Sequence, residues 1–182
     1  NYKIIFQKAY EALDLYSIAK YPHSEDIRSY AAYTFLNVFF YDFQYNSNFL
    51  LPNSVQYTTA LSKIIEDDSY QVAYPASHAF LIILYHLPSD FLKEVVYGDG
   101  FFYIMRRILD FDNIDMNQFM QATNYIFQIA DNNSWLNFCI EGFGNFDIDE
   151  RLEELKEDLQ KVDERQTIEE FLVHFNQKRQ EG

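Results

Sequence analysis

The chain has 182 residues, of which 48% are hydrophobic and 19% aromatic, and its formal net charge is −14 at pH 7. The hydrophobic fraction is ample for a buried core, while 5 glycines and 4 prolines are too few for a loop-rich β architecture. A chain this acidic lacks the basic face that phosphate contacts require, so we expect no nucleic-acid partner.

The single cysteine, Cys139, excludes a disulfide framework and favours a reducing compartment. The longest apolar run, residues 79–85, is too short to cross a bilayer, and no signal peptide is visible, so no membrane partner is expected. The chain begins at Asn1 and enters a helical pattern at once. We therefore expect a fragment whose true N-terminus lies upstream.

The first two units each predict helices joined by a short turn. The first unit, residues 1–44, contains a helical pattern over residues 2–19 and a second from about residue 26 to 42, with Ile27 on its apolar flank. The second unit, residues 45–88, contains two helices separated by a turn at residues 66–69. Pro75 lies inside the later helix and predicts a kink or a delayed start there.

The third and fourth units repeat one helical order. Residues 89–132 predict a short helix at 90–97, a glycine break at 98–100, a helix at 101–111 and a longer one at about 115–130. Residues 133–182 predict a short helix at 135–141, a break at 142–145, and helices at 149–162 and 167–179. The last part, from residue 147, has 12 acidic and 6 basic residues and a narrow apolar stripe that includes Val162. A terminal repeat with one face in water requires such a pattern.

A pair of small residues recurs at a constant interval. The pairs begin at Ala31, Ala76 and Ala122, which are separated by 45 and 46 residues. Small side chains in a helix otherwise rich in large ones leave room for a second helix. A period in the forties predicts an all-α fold, a right-handed α-solenoid of about four armadillo-like repeats that spans residues 1–182 and ends in a C-terminal cap.

Three stretches resemble one family. Residues 26–37, in which two alanines precede Tyr33 and Asn37, resemble a third-helix pattern in which two alanines precede Trp-x-x-x-Asn. Residues 92–109 resemble a short helix that ends at glycine before an apolar helix, and residues 139–155 resemble a closing segment with an Ile-Glu pair before glycines. The chain is thus similar to armadillo repeats, and more narrowly to the C-terminal repeats of importin-α (karyopherin-α).

The resemblance implies an adaptor that binds extended basic peptides, such as nuclear localisation signals, in a groove lined by third helices. In that family aromatic rings hold lysine stems and asparagine amides bond the peptide main chain. The positions that match this pattern here, and are expected to bind peptide, are Tyr33 and Asn37 in the first unit, His78 in the second, and Asn124 and Gln128 in the third. Only the first unit keeps an aromatic and an asparagine together.

The resemblance further implies residence in the cytoplasm and nucleus, further transport factors at the C-terminal cap, and no cofactor. The alternative is another armadillo or HEAT-type scaffold in the cytoplasm whose groove binds an unknown peptide or helix. A third reading is an α-helical enzyme or regulator.

Catalysis has little support in the sequence. Cys139 lies in an apolar helix with no local histidine, which indicates a structural thiol. His78 and His86 are eight residues apart without a further ligand nearby, so no metal is expected, and His174 is expected to be structural. We therefore expect a protein that is not an enzyme and has no catalytic residue.

Overall fold

The computed structural model describes residues 25–44 and 54–181, and in these ranges all regular secondary structure is α-helix. The expected all-α class is therefore confirmed for this part of the chain, while the helix predicted at residues 2–19 lies outside it. The helices are α1 Glu25–Gln44, α2 Ser54–Asp67, α3 Tyr70–His86, α4 Ser89–Val96, α5 Phe101–Ile108, α6 Met116–Asn132, α7 Leu136–Asn145, α8 Ile148–Asp158 and α9 Val162–Glu181. None of these helices combines the length and the apolar character that crossing a membrane requires.

The chain divides into two compact units, Asn1–Leu87 and Pro88–Gly182. This division falls one residue from the predicted boundary between the second and third repeats. The partition into four repeats stays a prediction.

In the first unit, α1 packs along α3, and α2 packs on α3 as well. The small residues predicted to mark close helix packing are buried, with Ala32 1% and Ala76 0% exposed. The prediction for Ile27 is wrong, since this side chain is 51% exposed. The face of α1 turned toward α3 is the one that carries Arg28, Ser29 and Ala32, and Ile27 lies away from it.

A bidentate ion pair fixes the first turns of α1 to the turn between α2 and α3. Arg28 Nε and Nη2 donate to the two carboxylate oxygens of Asp68 at 2.8 and 2.7 Å. Next to it, the Ser69 hydroxyl donates to the Glu25 carboxylate. The Arg28 and Asp68 side chains are only 25% and 14% exposed. Because the pair is partly buried and makes two parallel hydrogen bonds, it is stronger than an ordinary surface ion pair.

Pro75 lies within α3, which begins five residues earlier at Tyr70, so the proline does not delay the start of the helix. Proline has no backbone N–H, and the carbonyl of Gln71, four residues before it, therefore loses its helical donor. The hydroxyl of Ser29 on α1 donates to this carbonyl at 3.1 Å. A hydrogen bond between helices thus replaces one within α3.

In the second unit, α6 and α9 lie side by side and run in the same direction. Asn117, early in α6, approaches Glu164, early in α9, with Nδ2 3.4 Å from Oε1. Further along both helices, the rings of Phe127 and Phe171 meet with centroids 5.0 Å apart. These paired positions are 47 and 44 residues apart in sequence, close to the interval of the small-residue pairs.

The predicted break at residues 142–145 is wrong, because α7 continues through these residues to Asn145. The chain turns instead at Phe146 and at Asp147, whose φ of 53° is left-handed. Gly142 serves close packing: a Cβ built there would lie 2.3 Å from the ring of Phe102. That ring is itself buried and contacts the rings of Phe138 and Phe143.

The apolar stripe predicted in the last two helices is buried at five of its eight positions. Leu155 and Leu159 are half-buried, and Val162, the first residue of α9, is 72% exposed. The buried positions are Leu152, Ile168, Phe171, Leu172 and Phe175.

We expect Asp68→Ala to lower the free energy of unfolding by about 1.5–3 kcal/mol, since hydrogen bonds to charged groups contribute this much and Arg28 is left without its partner carboxylate. Urea denaturation followed by far-UV circular dichroism measures the change. The matched control is Glu181→Ala, which removes an exposed pair with Lys178 at 3.6 Å and should cost less than about 0.5 kcal/mol. Equal effects of the two substitutions would contradict a special role for the Arg28–Asp68 pair.

Gly142→Ala should lower stability by about 1–3 kcal/mol, because the added methyl group overpacks the space held by the Phe102 ring. Gly144, two residues on in the same helix, is the control. A Cβ there would lie 3.4 Å from the flexible end of Arg179, so Gly144→Ala should be neutral or gain up to about 1 kcal/mol from helix propensity. Thermal unfolding of both variants gives the comparison, and a stabilised Gly142→Ala protein would refute the packing role.

Candidate functional site

One cavity lies within the second unit, between the C-terminal half of α6 and the middle of α9. We call it the α6–α9 cleft. Its volume is about 430 Å³, and it is lined by Asn124, Phe127, Gln128, Asp131, Asn132, Thr167, Glu170, Phe171 and His174.

Each wall of the cleft is a stripe along one helix. On α6 the polar side chains are Asn124, Gln128, Asp131 and Asn132, at intervals that keep them on one helical face. On α9 they are Thr167, Glu170 and His174, three and four residues apart. The two polar walls face each other because the helices run side by side.

The floor of the cleft is aromatic and buried. Phe127 and Phe171 are 5% and 4% exposed, and their rings meet edge to face at 88°. Both rings also pack on Phe143 and Phe175, with centroids 4.9 to 6.0 Å apart. Edge-to-face contacts of this kind fix ring orientation, so the floor is a rigid support for the polar walls.

A buried carboxylate fixes the start of α9 beside α6. Glu164 is 6% exposed and accepts from Asn117 of α6 and, at 2.7 Å, from the Lys161 ammonium. The hydrogen bond to Glu164 raises the pKa of Lys161. This contact holds α9 in the position from which Thr167, Glu170 and His174 reach the cleft.

The charge balance of the cleft favours a cation. Asp131 on one wall and Glu170 on the other supply carboxylates, and both residues are exposed. One oxygen of Glu170 accepts from Gln166 at 2.8 Å, which orients the carboxylate and leaves its second oxygen available.

The structure brings two of the five predicted peptide-binding residues, Asn124 and Gln128, into this cleft. Tyr33 and Asn37 lie on α1, where both are exposed, and the Asn37 amide donates to the carbonyl of Tyr33 at 2.9 Å. His78 lies on α3 and is half-buried, its ring edge to face with that of Tyr74 at 4.7 Å.

Five polar residues that line the cleft are not predicted by the sequence pattern; one of them, His174, is expected to be structural but is exposed. The two on α6 lie three and four residues after Gln128, one helical turn further on, and helical periodicity could have indicated them. Those on α9 depend on tertiary packing. The full set is Asp131, Asn132, Thr167, Glu170 and His174.

Cys139 is buried, and burial raises the pKa of its thiol to about 12. A neutral thiol without exposure is a poor nucleophile. In the described ranges, residues 25–44 and 54–181, no group of three His, Cys, Asp or Glu side chains is arranged to hold a metal ion.

Comparison of the chain with protein-family models, with curated proteins and with solved structures gives no match.

Thr123 directly precedes Asn124 and is fully buried, and its hydroxyl has no hydrogen-bond partner in the described part of the chain. An unmet buried hydroxyl carries a desolvation cost, so Thr123→Val should raise the free energy of unfolding by about 1 kcal/mol. The control is Thr58→Val on α2, where the buried hydroxyl donates to Val55 at 2.9 Å. This second change should lower stability by about 1 kcal/mol, and urea titrations in which both variants moved the same way would contradict the assignment.

Proposed function

We propose that this protein is a peptide-binding adaptor, an importin-α-like armadillo solenoid of about four right-handed repeats that acts in the cytoplasm and nucleus and is not an enzyme. The parallel packing of α6 on α9 at offsets of 47 and 44 residues supports the repeat architecture. In a solenoid, corresponding helices of successive repeats stack side by side in this way. The helix lengths also agree, with 8, 8 and 17 residues in α4 to α6 and 10, 11 and 20 in α7 to α9.

The single observation that carries the proposal is the presence of Asn124 and Gln128 in a cleft flanked by Asp131 and Glu170. Side-chain amides both donate and accept, so they can bond the N–H and C=O groups of an extended peptide. Carboxylates on both walls select a basic side chain. The formal net charge of −14 adds a long-range attraction for a basic partner.

A second candidate is another armadillo or HEAT-type scaffold, and two observations in the first unit favour it. The Asn37 amide is used within its own helix by the bond to Tyr33, and His78 packs on Tyr74. In the importin-α-like mode, these positions would have to bind the peptide as well. In the second candidate, the α6–α9 cleft alone binds the partner.

We expect a fluorescent lysine-rich peptide to bind the full chain with an affinity that falls steeply as salt is raised, since the attraction is between exposed charges. The double variant Asp131→Asn, Glu170→Gln should weaken binding at least about tenfold in an anisotropy titration, an effect of about 1.4 kcal/mol. Glu169→Gln, a neutralised neighbour that does not line the cleft, should leave binding within about twofold. Loss of affinity in the control as great as in the double variant would mean that overall charge, and not the cleft, holds the peptide.

Asn37→Ala separates the two candidates in the same assay. If Tyr33 and Asn37 bind peptide as in importin-α, Asn37→Ala should weaken peptide binding by about 1–3 kcal/mol. The second candidate requires unchanged affinity with Asn37→Ala and a loss with Gln128→Ala, which alters the α6–α9 cleft.

A further inference from the structure

Three side-chain amides follow one another along a single helix at the α6–α9 cleft. Asn124, Gln128 and Asn132 are each four residues apart, are exposed, and line the same cavity. Four residues of α-helix rise about 6 Å, so the three amides span about 12 Å along α6. Asn133, the next residue, has its amide bonded to the Ile129 carbonyl at 2.7 Å and is not part of the row.

The spacing of this row fits the repeat of an extended chain. Two residues of an extended peptide advance about 6.6 Å, and its main-chain N–H and C=O groups on one edge recur at that interval. A peptide that lies along α6 therefore presents a main-chain polar group to each amide in turn. The span of about 12 Å corresponds to about four extended residues.

The opposite wall supplies side-chain contacts along the same line. Thr167, Glu170 and His174 of α9 line the cleft, and α9 runs in the same direction as α6. Glu170 and Asp131 are the carboxylates on the two walls of the cleft. One basic side chain of the peptide would be held between them, while its neighbours need only be small enough to enter.

We propose that the α6–α9 cleft binds a stretch of about four extended residues lying along α6, with its main chain held by Asn124, Gln128 and Asn132 and one basic side chain held by Asp131 and Glu170. This inference rests on the proposed peptide-binding function and deepens it. It names the length and orientation of the ligand, and it assigns main-chain recognition to one helix instead of to one amide from each repeat. Asn132 becomes a residue that determines affinity without contacting the basic side chain.

The experiment is a titration of the isotope-labelled full chain, followed by NMR chemical shifts, with the peptide acetyl-Ala-Ala-Lys-Ala-Ala-amide. Two altered peptides accompany it, one with N-methyl groups on alternate main-chain nitrogens and one with Glu in place of Lys. We expect shifts at residues of α6 and α9 that line the cleft, and a weakening of about threefold to tenfold with the N-methylated peptide or with Asn132→Ala. Asn133→Ala, whose amide is already used within the helix, should bind within about twofold of the unaltered chain. The Glu peptide should bind at least about tenfold more weakly.

The outcomes distinguish failure of the single-helix binding mode from failure of the proposed peptide-binding function. Binding of the lysine peptide at the cleft with full affinity for the N-methylated form, or with no effect of Asn132→Ala, would overturn the single-helix mode and leave a basic-peptide adaptor. An absence of shifts at the cleft with the lysine peptide would overturn both.

Discussion

The contact between α6 and α9 is the constraint on which the candidate site depends. Phe127 and Phe171 meet edge to face beneath the cleft, and Phe143 and Phe175 complete a buried aromatic cluster around them. Glu164 adds a polar contact at the start of both helices. Because the two helices are held parallel at both points, side chains that are 35 to 50 residues apart in sequence form two walls of one cavity. Removal of the aromatic floor would therefore remove the site as well as the packing.

The positions of several helices could be predicted from the sequence, because local apolar spacing and capping residues determine them. The predicted helices at 90–97, 101–111 and 115–130 correspond to α4, α5 and α6, with starts that differ by one residue at most. Gly98 follows the end of α4, Gly100 is the N-cap of α5, and Asp115 is the N-cap of α6 and accepts from the Gln118 N–H at 3.1 Å. The small-residue interval also predicted buried positions correctly at Ala31, Ala76 and Ala122.

The errors have a common physical cause, which is that tertiary contacts decide what a residue type is used for. Gly142 carries the sequence signal of a turn, but the ring of Phe102 uses its missing side chain as packing space. Ile27 has the spacing of a core residue, but the face of α1 that is buried and bonded carries Ala32 and the pair of Arg28 with Asp68, and Ile27 is exposed. Neither partner is near in sequence, so no local pattern contains the information.

The same limit explains how much of the cleft was foreseen. Asn124 and Gln128 were found through resemblance to a repeat pattern, and both line the cavity. The carboxylate of Glu170 and the imidazole of His174 belong to a different helix, and only the folded unit brings them opposite α6. A prediction confined to one helix at a time finds one wall of a site that has two.

The proline of α3 has a consequence for how the first unit opens. Because Pro75 leaves the Gln71 carbonyl without a donor in its own helix, that carbonyl depends on the hydroxyl of Ser29. If α1 detaches, the carbonyl must be hydrated and the early turns of α3 lose a restraint that the helix cannot replace from within. The backbone amides at the beginning of α3 should then exchange their hydrogens with solvent together with those of α1, as one cooperative segment.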